Sequence, residues 1–287
     1  MLQKYLSLVK FAHTVFALPF ACIGFVLGVM TVGNFHWTNL LFMLLCMVCA
    51  RNAAMSFNRY ADRCYDARNP RTAGRELPQG VLSSNKVVAF TMVNAGLFML
   101  SAYCLNPLCF YLSPLALVVV LGYSFTKRFT WWCHLVLGLG LAIAPIGAYI
   151  AVSGAFAIAP LCFSALVLFW TAGFDILYAL PDEDFDKQEQ LHSIPQAFGR
   201  RAAMRISAGL HVIAAALTVL AGVWLNMSWL YWFGALFFIA MLLYQHLIIK
   251  PNDLSRLNAA FFVTNGIASV VFAVFTILGL LLYQVQD

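Results

Sequence analysis

Two acidic clusters, more than a hundred residues apart, hold the side chains best suited to chemistry. The first runs Asn58-Arg-Tyr-Ala-Asp62-Arg-Cys-Tyr-Asp66-Ala-Arg-Asn-Pro-Arg71-Thr-Ala-Gly-Arg75. On a helix continuing past Phe57, Asn58, Asp62 and Asp66 fall at successive i, i+4 steps and share one face. Carboxylates stacked one turn apart repel unless a cation lies between them, and an oxygen-only donor set suits a hard ion such as Mg2+. The second runs Asp175-Ile-Leu-Tyr178-Ala-Leu-Pro-Asp182-Glu-Asp-Phe-Asp186-Lys187. Asp182 and Asp186 repeat the i, i+4 pair. Asp175 lies two turns earlier on nearly the same face, which places it deeper in the apolar run. An ionisable group there is costly and functional unless it is paired.

Basic residues accompany both clusters, and the mixture narrows the ligand. A metal-bound diphosphate needs carboxylates for the metal and Arg or Lys for the phosphate oxygens. Arg51, Arg71, Arg75, Lys127 and Arg128 are the candidates for diphosphate binding. Arg63, Arg68, Arg200 and Arg201 suit a purely topological role. The plainer alternative is that all these charges are solvated salt bridges, and the recurrence of two Asp-x-x-x-Asp pairs, each flanked by cations, argues against it.

The elements that must position these residues follow from composition. Of 287 residues, 63% are hydrophobic and only 10% charged. Ordinary soluble chains carry about 45–50% and about 25%. With mean hydropathy at +0.85, the apolar excess must face lipid, so the chain is all-α and polytopic. Apolar runs of membrane-crossing length extend over His13–Val32, Trp37–Phe57, Val87–Leu105, Phe110–Phe125, His134–Ser153, Ile158–Leu180, Ile206–Leu225, Trp229–Ile249 and Ala259–Tyr283. About nine transmembrane helices are therefore expected, in one bundle spanning 1–287, with polar motif loops at about 58–86 and 181–205.

The net charge of +6 is no sign of a nucleic-acid partner, because its placement is topological. The turns at 33–36, 106–107, 154–157 and 226–228 carry no charge, while the alternate loops carry nearly all of it. With a cytoplasmic N-terminus, all 17 Lys and Arg residues fall on the cytoplasmic side or at helix ends facing it, which is the positive-inside pattern. Asp287 then lies on the opposite side. Lys4 and Lys10 precede an apolar run that continues past Val32, so the N-terminus is expected to be a first span and not a cleaved signal. Cys46-x-x-Cys49 sits inside an apolar run without partner ligands, so metal or redox use is not expected. Gly138, Gly140 and Gly147 suit close helix packing. The histidines, His134 and His192 among them, show no metal-ligand spacing.

Taken together, Asn58-x-x-x-Asp62-x-x-x-Asp66 with Arg71-Thr72-Ala73-x-Arg75, Tyr123-Ser-Phe-Thr-Lys127-Arg128, and Asp175-x-x-Tyr178-Ala179-x-x-Asp182-x-x-x-Asp186 with Ser193 resemble the UbiA family of intramembrane aromatic prenyltransferases over the whole chain. Within that family the chain is most similar to 4-hydroxybenzoate polyprenyltransferases and to the related enzymes of futalosine-route menaquinone synthesis. Two departures stand out. Arg59 occupies a position where many members have Asp, and Arg75 is followed by Glu76-Leu77-Pro78 instead of an immediate Pro.

The resemblance implies that Asn58, Asp62 and Asp66, with Asp182 and Asp186, hold two Mg2+ ions against the diphosphate of a polyprenyl donor. It also implies that the bundle encloses a central cavity opening sideways to membrane lipid, where the donor tail lies. A small aromatic acid, 4-hydroxybenzoate or a naphthoate-type ring, is the implied acceptor, with Asp175 and Tyr178 orienting it or taking its proton. A bacterial inner-membrane location is implied as well. A CDP-alcohol phosphatidyltransferase is disfavoured because its Asp-x-x-Asp-Gly opening is absent. A transporter is disfavoured because its sites would lie near the bilayer midplane and not at one face.

Overall fold

The computed structural model describes residue 8 and residues 16–284. His13, where the first span was expected to begin, lies outside the described residues, as do Lys4, Lys10 and Asp287. The described chain is helical, without a β-strand. The apolar helices are α1 (Leu18–Val32), α2 (Trp37–Ala61), α4 (Ser84–Leu105), α5 (Pro107–Thr126), α6 (Cys133–Ser153), α7 (Ile158–Ala179), α9 (Ile194–Trp224), α10 (Trp229–Ile248) and α11 (Asn265–Gln284). Two short polar helices, α3 (Arg63–Arg68) and α8 (Glu183–Gln188), lie between them. Eight of the apolar helices are long enough to cross a membrane, and α1 is shorter at 15 residues.

The helices match the apolar runs, with extensions at their ends. Pro107 begins α5 because its missing N–H is one the first turn leaves unpaired anyway, and Asn106 caps the turn by accepting from the Cys109 amide at 2.9 Å. The largest difference is α9, which starts twelve residues before Ile206. Ser193 caps it, accepting from the Gln196 N–H at 3.3 Å, with Pro195 in the first turn. The segments expected as loops at 58–86 and 181–205 are therefore partly helical, through the end of α2, α3, α8 and the start of α9. Polar helices can extend beyond the apolar slab, where hydropathy gives no signal of them.

Neighbouring helices pack as α1 on α6, α6 on α7, α7 on α9, α10 on α11 and α11 back on α1, while α2 packs with α4 and α5 and α5 with α6. Between lipid-soaked helices, packing relies on close van der Waals contact and interhelical hydrogen bonds. Gly138 of α6 shows the first. A Cβ there would lie 2.4 Å from the Leu168 carbonyl oxygen of α7, so only glycine permits this approach. Gly140 and Gly147 make no comparably close contact. Buried Asn265 of α11 shows the second, accepting from Trp170 Nε1 of α7 at 3.2 Å and from Gln245 Nε2 of α10 at 2.6 Å.

The core follows from this arrangement. Phe20, Phe163, Trp170, Phe174, Tyr231, Phe238 and Phe272 form one buried cluster. α7 is the most enclosed span, with 61% of its apolar window buried against 22% for α2. It therefore serves as the rigid post on which Asp175 and Tyr178 stand. The uncharged turns gather at one end, where Asn106 Nδ2 donates to the Ile150 carbonyl at 2.8 Å and Tyr149 hydroxyl to Thr31 Oγ1 at 3.4 Å. The motif segments occupy the other.

Candidate active site

The first motif does not lie on one unbroken helix. Asp62 sits between α2 and α3 with φ −93° and ψ 5°, although its N–H still bonds the Asn58 carbonyl and its carbonyl the Asp66 N–H. Asn58 and Asp62 keep a common face, with Asn58 Nδ2 donating to Asp62 Oδ2 at 2.9 Å. Asp66 is turned toward Arg75, whose Nη1 donates to its Oδ1 at 2.6 Å. The second motif is interrupted as well. Pro181 cannot continue the ladder of α7, and Leu180–Asp182 form a 3-10 turn before α8. Asp175 thus lies on α7, while Asp182 ends the 3-10 turn and Asp186 lies on α8.

Every candidate carboxylate faces a basic side chain. Arg71 grips Asp182 with both arms of its fork, Nε to Oδ1 at 2.9 Å and Nη2 to Oδ2, and Asn69 Nδ2 adds a third bond at 3.1 Å. Lys127 Nζ lies 2.7 Å from Asp186 Oδ1, and Ser193 Oγ donates to Asp186 Oδ2 at 2.7 Å. Arg128 Nη2 donates to the Ala61 carbonyl at 2.7 Å and lies 3.5 Å from Asp62 Oδ1. The Lys127–Arg128 corner after α5 thus reaches both motifs, and the His192 N–H binds the Lys127 carbonyl at 2.6 Å. Arg71 bridges the two motifs directly.

The five oxygen donors Asn58, Asp62, Asp66, Asp182 and Asp186 are divided between the two motif segments, and the four carboxylates pair with separate cations. Among the described residues no three His, Cys, Asp or Glu groups are placed to hold a metal ion, because each carboxylate is drawn to its own cation. The donor chemistry nonetheless fits a hard divalent ion. All five offer oxygen, and Asp66 Oδ2 is buried without a hydrogen-bond partner among the described residues. Burial, and then Asp66, push the Asp62 carboxyl up to about 6, against the pull of Arg128 and Lys127. On Lys127 burial works against the charge, but Asp186 outweighs it and raises the ammonium above its ordinary value.

Around this polar face stand aromatic rings. The Arg71 guanidinium lies 5.0 Å from the Tyr178 ring centroid, and Phe261 stacks on Tyr178 at 4.0 Å and 26°. Phe261 comes from a π-helical turn, Ala259–Thr264, that precedes α11. Arg51 lies within α2, about two turns before Asn58. Arg59 is buried on the flank of that helix, its Nε without a partner among the described residues. Arg68 and Arg200, expected to be topological, bind Glu189 at 2.9 Å and Glu183 at 3.1 Å.

Three residues escaped the sequence reasoning. Asn69 supports Asp182 from a loop position with no periodic signal. Ser193 was noted only as part of a motif, although Ser before Ile-Pro is a legible helix start. His134 lies on α6 with Nδ1 2.6 Å from Asp175 Oδ2. That pairing spans 41 positions and two helices, so no local spacing announces it.

A family model described as the UbiA prenyltransferase family matches residues 17–267. The chain belongs to this family, and it is a polytopic helical membrane enzyme of the prenyltransferase class. It is 33% identical over 238 residues to a 4-hydroxybenzoate octaprenyltransferase of Aeromonas hydrophila, covering 83% of this chain and 82% of the relative. A namesake from Aliivibrio fischeri is 31% identical over 236 residues, covering 82% of each. Among solved structures, a UbiA homologue from Aeropyrum pernix superposes with a TM-score of 0.84 at 29% identity, covering 93% of this chain and 98% of its own. A homologue from Archaeoglobus fulgidus bound to DMAPP and Mg2+ shares the fold, with a TM-score of 0.75 at 22% identity, over 95% and 97% of the two chains.

Proposed function

We propose that the chain transfers a polyprenyl group from a polyprenyl diphosphate to 4-hydroxybenzoate, with Mg2+ as cofactor, at the cytoplasmic face of a bacterial inner membrane. One observation carries the reading. Carboxylates and cations from two segments 111 residues apart interlock at one end of the bundle, as Arg71 with Asp182 shows. Metal and phosphate oxygens together can satisfy both kinds of group. The relatives' name supports 4-hydroxybenzoate as acceptor. The bare opposite turns support a cytoplasmic N-terminus, with the C-terminus across the membrane.

In this reading Asn58, Asp62, Asp66, Asp182 and Asp186 hold Mg2+, which when bound neutralises the diphosphate and makes it a better leaving group. Arg51, Arg71, Arg75, Lys127 and Arg128 bind the phosphate oxygens, and the pairs that Arg71, Arg75, Lys127 and Arg128 form with Asp182, Asp66, Asp186 and Asp62 hold those groups in place. The allylic C–O bond breaks with its electron pair leaving on the diphosphate oxygen. The ring carbon ortho to the acceptor's hydroxyl supplies the pair for the new C–C bond. The hydrogen on that carbon leaves as a proton to the Asp175 carboxylate, and its bonding pair restores the aromatic ring. Tyr178, fixed between Arg71 and Phe261, helps to orient the acceptor ring in this reading. A site that opens sideways to lipid admits the donor tail and excludes water, which would otherwise capture the cation.

The test is product formation by purified protein in detergent with Mg2+, geranyl diphosphate and either 4-hydroxybenzoate or 1,4-dihydroxy-6-naphthoate, read by mass spectrometry. Prenylated hydroxybenzoate, absent from the Asp62→Ala variant, is expected. Prenylated naphthoate alone would replace the acceptor and keep the chemistry. No product with either ring, using longer donors as well and folded protein, would overturn the assignment.

A further inference from the structure

The residue behind Asp175 has no part in the chemistry described so far. His134 is buried at 2% exposure inside α6, while the Asp175 side chain keeps 22%. One imidazole nitrogen, Nε2, accepts the Ile194 backbone N–H at 3.3 Å. A ring that accepts at Nε2 carries its hydrogen on Nδ1. Nδ1–H therefore donates to Asp175 Oδ2 at 2.6 Å. The ring is clamped between α7 and the start of α9, where the preceding residue, Ser193, holds Asp186. A change in the diphosphate-side cluster is thus only one residue along the chain from the group that holds Asp175.

We propose that His134 is the positioning residue for Asp175. It fixes one carboxylate oxygen so that the other stays aimed at the hydroxyl-bearing aromatic acceptor, and through Ile194 and Ser193 it keeps that carboxylate in register with the Asp186 cluster. A carboxylate inside an apolar bundle has few donors available, so losing Nδ1–H leaves Asp175 free to rotate away or to take up a proton. Either outcome removes the group that receives the ring proton. Prenyl diphosphate makes its direct contacts with other residues, so its binding should change far less than turnover. The inference rests on the reading of Asp175 given above.

The experiment compares His134→Leu, His134→Asn and Asp175→Asn in the geranyl diphosphate and 4-hydroxybenzoate assay, measuring kcat and the KM for each substrate. Asn Nδ2 can occupy the place of imidazole Nδ1, whereas Leu offers no donor. His134→Leu is expected to lower kcat by about ten- to a hundredfold, the range for losing a hydrogen bond to a charged group, with the KM for geranyl diphosphate changing far less. His134→Asn should recover most of that loss. In the Asp175→Asn background, His134→Leu should add no further loss. Equal losses in His134→Leu and His134→Asn would make His134 a packing residue and overturn the inference. An unchanged kcat in His134→Leu beside an impaired Asp175→Asn would do the same while leaving the role of Asp175 intact. Full activity in Asp175→Asn would instead overturn the reading of Asp175. If His134→Leu does not fold, nitrogen NMR of 15N-histidine-labelled protein decides the matter. An Nδ1–H resonance that moves in Asp175→Asn supports the inference, and one that does not move refutes it.

Discussion

Replacing Arg71 with Gln separates two roles that the structure superposes on one side chain. Arg71 holds Asp182 by a two-armed contact, and Asp182 keeps only 8% exposure against 34% for Arg71. Removing one partner of a fully buried pair costs about 3–5 kcal/mol, while an exposed pair is worth about 0–1 kcal/mol. With one member buried and the other a third exposed, the expected loss of stability is about 2 kcal/mol, partly offset by Asn69, which keeps its bond to Asp182. The second role is binding. A charge-assisted hydrogen bond to diphosphate is worth about 1.5–3 kcal/mol, so kcat/KM for geranyl diphosphate should fall about tenfold to 150-fold. Arg71→Lys should lie between, because it keeps the charge and loses the fork. Melting in detergent and initial rates at varied donor concentration read the two roles separately. If Arg71→Gln lowers the melting temperature but leaves kcat/KM for the donor unchanged, Arg71 is only a latch for Asp182, and the assignment of these cations to diphosphate is refuted.

Other expectations follow from the same geometry. The Asp62 carboxyl lies at about 6, above its ordinary 3.8, so as pH rises through that window the metal-free fold loses stability while the charged ligand that Mg2+ needs appears. The rise in melting temperature produced by a fixed Mg2+ concentration should therefore be larger at pH 7 than at pH 5, and equal shifts would argue against Asp62 as a ligand. Gly138→Ala forces a Cβ against the Leu168 carbonyl, 2.4 Å away, and should cost about 1–3 kcal/mol together with activity, since α6 and α7 carry His134 and Asp175. Gly140→Ala, whose Cβ would meet only a flexible Val120 methyl at 3.7 Å, should melt like the parent. Ser193→Ala removes a helix cap and a buried partner of Asp186, and should cost about 1–2 kcal/mol, seen as an earlier thermal transition.

Much of this protein is present in its linear order because the membrane makes local composition decisive. A backbone crossing hydrocarbon must satisfy its own hydrogen bonds, so a long apolar run has essentially one solution, the helix. That is why nine described helices coincide with apolar runs, and why the charged segments could be assigned to one face from their alternation alone. The i, i+4 carboxylates and the basic residues near them were legible for the same reason, since helical spacing is a property of neighbours in sequence.

What only tertiary structure decided depends on contacts between distant positions. Pro181 and the break at Asp62 rotate the carboxylates out of the single-helix geometry that spacing suggested. Asn69 and Arg71 reach Asp182 across 113 and 111 positions, and His134 reaches Asp175 across 41. Such pairs arise from which helix packs beside which, and shape complementarity at points such as Gly138 sets that choice. Residue type showed that the chain carries the oxygen donors and cations for diphosphate chemistry. Packing determined which donor meets which cation, because electrostatic pairing at 3 Å depends on where helices cross and not on where residues fall in order.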